Sequence, residues 1–261
     1  MTRAAVARRT AAVLLLAVTG LSPLATTGRA VAQEEKPKPE IKGTSLLGVL
    51  PGRSATVTLF GEKLAPKAIA FPKGPLTAKL VGEVQTTEGD DKKRGAQKVA
   101  VEVVVPADCP PGVYEMVLLH EGDVKAAAPL AVFAPAAGEA EVKRPCATFA
   151  EAMPVAPDPS LAITGALTGD TADRFRFAAR RGEIWEITVL AGRAGSALDP
   201  ILRLRDARHV SIALAAGNDK KDRRITFPAP ADGVYYVELS DADGRNGTHL
   251  MYRLTLTRRS P

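Results

Sequence analysis

Short runs in which apolar and polar residues alternate one by one recur from about residue 54 to the end of the chain. A period of two is what a half-buried β-strand imposes, because successive side chains leave opposite faces of the sheet. Val57 and Leu59 take one face there, Thr56 and Thr58 the other. Val99, Val101, Val103 and Val105 repeat the pattern against Ala100, Glu102 and Val104, and beyond Pro110-Pro111-Gly112 the residues Tyr114, Met116 and Leu118 alternate with Glu115 and Val117. The second half is more regular. Phe175 and Phe177 face inward between Arg174 and Arg176, and Trp185, Ile187 and Val189 alternate with Glu186 and Thr188. Leu202 and Leu204 follow against Arg203 and Arg205, then the run Val234 to Leu239 after the Asp232-Gly233 turn, then Tyr252, Leu254 and Leu256 against Arg253, Thr255 and Thr257. The only helical prospect is a turn at 148–152. Short strands punctuated by Gly, Asp and Pro predict an all-β fold in which antiparallel sheets pack in pairs.

Two polar stretches divide the chain. Residues 33–40 are charged and broken by Pro37 and Pro39, which predicts a solvated leader. Residues 134–160, opening on Ala134-Pro135-Ala136, read as a linker between a first module over 41–133 and a second over 161–258, each the size of one small sandwich. The run 88–95 mixes both signs of charge between two strands and reads as an exposed hairpin loop rather than a binding patch.

The first 32 residues change the picture of charge and compartment. Arg3, Arg8 and Arg9 precede an apolar run, Ala11 to Leu21, and small residues follow; Ala30 and Ala32 fit the positions of a cleavage site. This is the plan of a secretory signal, and the run is too short to span a bilayer. Cleavage near Ala32 places the mature chain in a secreted or periplasmic setting, with no membrane span in it. Arg3, Arg8, Arg9 and Arg29 leave with the signal, so the 35 basic residues fall by four to 31 against 29 acidic ones. A balance of +2 removes the main support for a nucleic-acid partner.

Two cysteines, Cys109 and Cys146, enter an oxidising compartment. They either pair, tying the end of the first module to the segment leading into the second, or stay as two free thiols; the separation that decides this is not in the sequence. Catalytic signals are sparse. His120, His209 and His249 lack a helpful neighbour in sequence, and there is no HExxH, GxSxG, phosphate loop or CxxC. Trp185 and Tyr235 read as core, leaving Tyr236 outward, and Arg174, Arg176, Arg203 and Arg205 read as a solvated basic face.

Several of these stretches, in order, resemble the bacterial pre-peptidase C-terminal domain over residues 161–257: Gly169-Asp170 to Phe177, Arg181-Gly182 to Ile187, Gly195 to Leu204, Asn218-Asp219, and Pro230 to Val237. The resemblance implies a jelly-roll-like β-sandwich acting as a non-catalytic appendage of secreted proteins. Residues 41–133 look like an immunoglobulin-type module of the IPT/TIG kind, on Leu50-Pro51-Gly52, Val57 to Leu64, and Val105 to Tyr114. Some relatives of the second module bind calcium through a pair like Asp170 and Asp173; here Lys143 and Arg144 stand where acidic ligands would help, and the aspartates read rather as turn caps. The expected function is that of an exported, non-catalytic accessory protein presenting its sandwiches to an extracellular or envelope protein or polysaccharide. A ligand-free structural spacer and a cryptic hydrolase are the alternatives.

Overall fold

The computed structural model describes residues 38–169, 172–217 and 222–259. The expected signal, most of the leader, and Asp170, Asn218 and Asp219 lie outside the described residues. No helix among the described residues is long and apolar enough to cross a membrane.

The alternating runs become strands that pack as two β-sandwiches. In the first, β1 (Glu40–Thr44), β3 (Ser54–Glu62), β6 (Gln97–Val104) and β5 (Thr77–Thr86) form one sheet in the order β1-β3-β6-β5. The facing sheet runs β2-β8-β7-β4, from β2 (Gly48–Val49), β8 (Lys125–Val132), β7 (Gly112–Leu119) and β4 (Ala68–Ala70). Val57, Leu59, Val101 and Val103 meet Met116, Leu118 and Leu130 between them, all fully buried. The run 88–95 carries a 3-10 stretch at Gly89–Arg94 and is not wholly a surface loop. Arg94 turns inward, lies 3.9 Å over the Phe60 ring and donates to the Thr44 carbonyl.

In the second sandwich one sheet runs β16-β13-β18-β11-β9. Its members are β16 (Arg223–Pro228), β13 (Ile184–Leu190), β18 (Met251–Arg259), β11 (Ser160–Ala166) and β9 (Gly138–Glu141). The other runs β10-β12-β17-β14-β15, from β10 (Met153–Pro154), β12 (Ala172–Ala179), β17 (Gly233–Asp241), β14 (Pro200–Arg205) and β15 (Ser211–Ala215). The core holds Phe175, Phe177, Trp185, Tyr235 and Tyr252 with the aliphatic residues of the same strands. Trp185 packs 4.9 Å from Phe177, and Tyr235 meets Phe227 at the same distance.

The structure also departs from the sequence reading in its connecting segments. Residues 138–141 and 153–154, inside the expected linker, are strands that pair in parallel with β11 and β12, and β2 pairs in parallel with β8. The sheets are therefore not purely antiparallel: short edge strands cut from connecting segments run whichever way the connection runs. Residues 148–151 form a turn, closed by Thr148 Oγ1 on Glu151, and β10 begins before a helix can grow.

The two sandwiches share a third apolar cluster. Leu47, Ala131 and Phe133 from the first meet Ala194 and Met251 from the second, and Leu50, Ala166 and Leu190 pack around them. Gly195, at φ +87, comes so near Pro129 that an added Cβ would lie 2.9 Å from its Cγ; glycine there meets both the positive φ and the close approach.

Candidate functional site

Beside that cluster lies a groove of about 430 Å³, bounded by both sandwiches. Its floor is the outward face of β11, β13 and β18. Register sets Ser160 opposite Thr257 and Thr257 opposite Glu186, and in the next row Thr255 opposite Thr188. Alternation puts all five on one face, with strands about 4.8 Å apart and same-face neighbours about 7 Å apart along a strand. The facing wall comes from the first sandwich: Val113 after the Pro111-Gly112 turn, then Phe133 and Pro135. A hydroxyl-bearing floor thus faces an apolar wall.

The charged side chains of Glu186 and Arg253 in the groove are paired. Glu186 accepts from Arg224 at 2.6 Å and from Arg259 Nε at 2.9 Å. Arg253 is only 5% exposed, donates to both Glu139 oxygens at 2.7 and 2.6 Å and to the Ala134 carbonyl at 3.2 Å, and lies 4.3 Å over the Phe133 ring. Its own charge is paired, and it joins β18, β9 and the end of the first sandwich. Ser160, the floor hydroxyl closest in kind to a nucleophile, accepts from Ala137 N–H. Among the described residues no imidazole lines the groove, and the arrangement offers hydrogen bonds beside an apolar contact.

The other predicted residues fall apart from this groove and from one another. Asp173 is buried on β12, where its carboxylate accepts from Arg144 at 2.7 and 3.0 Å, from the Tyr252 hydroxyl at 2.6 Å and from the Cys146 thiol at 3.4 Å. Arg144 itself supplies the cation at this carboxylate. Asp170 lies outside the described residues, among which no three of His, Cys, Asp and Glu come together as metal ligands. Burial first, and then the Asp173 charge, push the Tyr252 phenol well above its ordinary value and the Cys146 thiol up to about 11. Cys109 and Cys146 are both free and buried, Cys109 in the first core and Cys146 in the second.

Arg174, Arg203 and Arg205 are not simply solvated. They converge on Glu238, a 4% exposed carboxylate on β17, at 2.8, 2.7 and 3.0 Å. Burial pushes that carboxyl up, but hydrogen bonds from Arg205 and Arg203 and the charge of Arg174 outweigh it and hold it below its ordinary value. Phe149 covers the group, 4.7 Å from Arg174 and stacked 3.9 Å from His209, with Tyr236 edge-on to both rings. Nothing local singles out Glu238, Arg253, Glu139 or Phe149 in the sequence; only the arginine alternation on β12 and β14 marks that face.

No family model matches the chain. A probable subtilase-type serine protease of Deinococcus radiodurans is 38% identical over 72 residues, 27% of this chain and 10% of that protein. The chain thus spans about a tenth of this curated relative. The pre-peptidase C-terminal domain of a Bacillus anthracis collagenase is 18% identical, covering 48% of this chain and 99% of that one at a TM-score of 0.32. The periplasmic g-type lysozyme inhibitor PliG of Aeromonas hydrophila is 14% identical over 47% of this chain and all of its own length (100%), at a TM-score of 0.33.

Proposed function

We propose that the protein is an exported, non-catalytic binding module whose inter-sandwich groove takes a polysaccharide chain at the cell envelope or outside it. The carrying observation is the groove floor. Ser160, Thr188, Thr255 and Thr257 offer hydroxyls on one face, Glu186 adds an acceptor, and the exposed Val113 and Pro135 give a wall for an apolar sugar face. Sites of this kind bind through a few placed polar groups beside apolar surface. Export rests on the basic, apolar and small-residue plan of residues 1–32.

Co-sedimentation of the purified chain with insoluble envelope and plant polysaccharides tests the reading. Retention on at least one polymer is expected, and Thr255→Lys together with Thr188→Lys abolishes it while leaving the melting temperature near that of the parent. Retention that ignores both substitutions would place binding elsewhere. One observation favours a second reading, a rigid spacer: the shared cluster of Leu47, Phe133 and Met251 fixes one sandwich on the other. Absence of saturable binding to any polymer, with recovery in a fixed-ratio complex, would support that reading instead.

A further inference from the structure

The floor of the groove does not stop at Glu186 and Thr257. Outward positions on β13 and β18 recur every second residue, so the next row sets Ile184 opposite Arg259, about 7 Å further along the strands. β11 begins level with Thr257, at Ser160, and the residue before it, Pro159, accepts from the Arg258 N–H. At this end of the sheet lies a second cavity, of about 500 Å³, lined by Pro159, Ile184, Arg258 and Arg259 and by the turn 180–183 that joins β12 to β13. Along one face, the hydroxyls of the groove give way to arginine.

The backbone of that turn is fixed. The Arg180 N–H donates to the Glu183 carboxylate at 3.0 Å, the Arg181 N–H to Asp232 at 2.7 Å, and the Gly182 N–H to the Ala229 carbonyl at 2.8 Å. The two guanidinia of the turn are different: among the described residues neither Arg180 nor Arg181 has a side-chain partner, and both are exposed. The carboxylates nearby are all engaged. Arg258 closes Asp158 at 3.0 Å and Glu183 at 3.3 Å, Arg224 and Arg259 share Glu186, and Asp232 holds the Arg181 amide. Five arginines against four carboxylates leave a small positive excess, and it falls on the two guanidinia whose donors no protein acceptor uses. Such a fork matches the paired oxygens of a carboxylate or of a tetrahedral oxyanion.

We propose that the polymer taken by the groove is an acidic polysaccharide, and that the 180–183 turn with Arg259 forms the subsite for its carboxylate or sulfate groups. This inference rests on the groove reading above. Sugar hydroxyls meet Thr188, Thr255 and Thr257, and a chain that follows the strands carries an anionic group past Arg259 to Arg180 and Arg181. Continuity of the two cavities selects a polymer over a small anion, which would meet the arginines alone. Charge selects an acidic polymer over a neutral one, because a neutral chain lying on the guanidinia would strip their water and leave charged donors without a charged acceptor.

The test measures fluorescence anisotropy of the full chain with labelled oligosaccharides in matched pairs: oligogalacturonate with its methyl ester, and sulfated with plain dextran fragments. At least one acidic member is expected to bind about tenfold more tightly than its neutral partner, by a margin that shrinks as salt rises. Whether the carboxylated or the sulfated member binds identifies the anionic group. Arg180→Gln with Arg181→Gln, at exposed positions, is expected to remove the margin without altering the melting temperature. Arg176→Gln, an exposed arginine on the other sheet, is expected to leave it intact. Thr188→Trp with Thr255→Trp is expected to abolish binding of every fragment. Equal binding of acidic and neutral fragments, or a margin that ignores the substitutions in the turn, would overturn the inference and leave the groove reading standing. Acidic binding that survives Thr188→Trp with Thr255→Trp would overturn both. If neither acidic fragment binds, the inference fails and co-sedimentation with neutral polymers judges the groove by itself. A single-stranded DNA octamer bound as tightly as the acidic fragment would also overturn it, because the occupant would then be a nucleic acid.

Discussion

Arg253 lies 4.3 Å over the ring of Phe133, a contact between the last strand of the second sandwich and the end of the last strand of the first. The same guanidinium is closed by Glu139, so one side chain links the wall of the groove to its floor. The two partners of that ion pair are unequally buried, with side chains 5% and 34% exposed for Arg253 and Glu139.

That inequality predicts an asymmetric response to mutation. Glu139→Ala strands a buried guanidinium without its carboxylate, a change expected to cost about 3 kcal/mol. Arg253→Met keeps the packing on Phe133 and leaves behind a carboxylate that can reach water, and should cost about 1 kcal/mol. Urea unfolding of the two variants is expected to rank them in that order; the reverse order would mean that the pair is not held as described.

Acid should unfold the second sandwich through Glu238 and Asp241. Burial pushes each carboxyl up, but arginine hydrogen bonds, from Arg205 and Arg203 in one case and Arg245 in the other, hold both below their ordinary values of 4.5 and 3.8. The unfolded chain therefore takes up protons at a higher pH than the folded one. The stabilisation is fully present above the ordinary values and is lost as pH falls through the lowered folded ones. Unfolding free energy measured from pH 6 downward is expected to hold and then fall below about pH 4.5, and Glu238→Gln should start less stable but fall less steeply.

Cys146 should be inert while the protein is folded. Its thiol is buried and pushed up to about 11, so at pH 8 only about 0.1% is thiolate, the reactive form. Alkylation followed by intact-mass measurement is expected to leave Cys146 unmodified in the native chain and to add two labels after unfolding without reductant. One label or none after unfolding would reveal a disulfide.

Calcium should not stabilise the chain. The Asp173 carboxylate is already closed by Arg144, Tyr252 and Cys146, and displacing a bidentate guanidinium is costly. The melting temperature is expected to be the same in calcium and in chelator, and Arg144→Ala is expected to lower it by several degrees, with no recovery on adding calcium. A rise of several degrees on adding calcium to the parent chain would contradict this arrangement.

The fold was legible because a period of two is a local signal. Val99 to Val105 and Trp185 to Val189 announce their inward faces in seven and five residues, with no need of a partner. β9 and β10 were not legible, since four and two residues between prolines are too few to display a period. The floor of the groove was half visible: Thr255, Thr257 and Thr188 were readable as outward positions. Nothing local tells that β11, β13 and β18 lie side by side, or that Phe133 comes to face them. Glu238 could not be singled out locally, because the three arginines that bury it come from 33 to 64 residues away in sequence. Arg144 was readable as a departure from a metal-binding pattern, but its partner Asp173, 29 residues away, was not.

The central claim is that the groove between the sandwiches is the binding surface, and an NMR titration with a soluble fragment of whichever polysaccharide retains the protein tests it most directly. Amide shifts are expected to move at Thr188, Thr255 and Thr257 on the floor and at Val113 and Phe133 on the wall, and to saturate together. Saturable shifts confined to other surfaces, with these five residues unmoved, would contradict it.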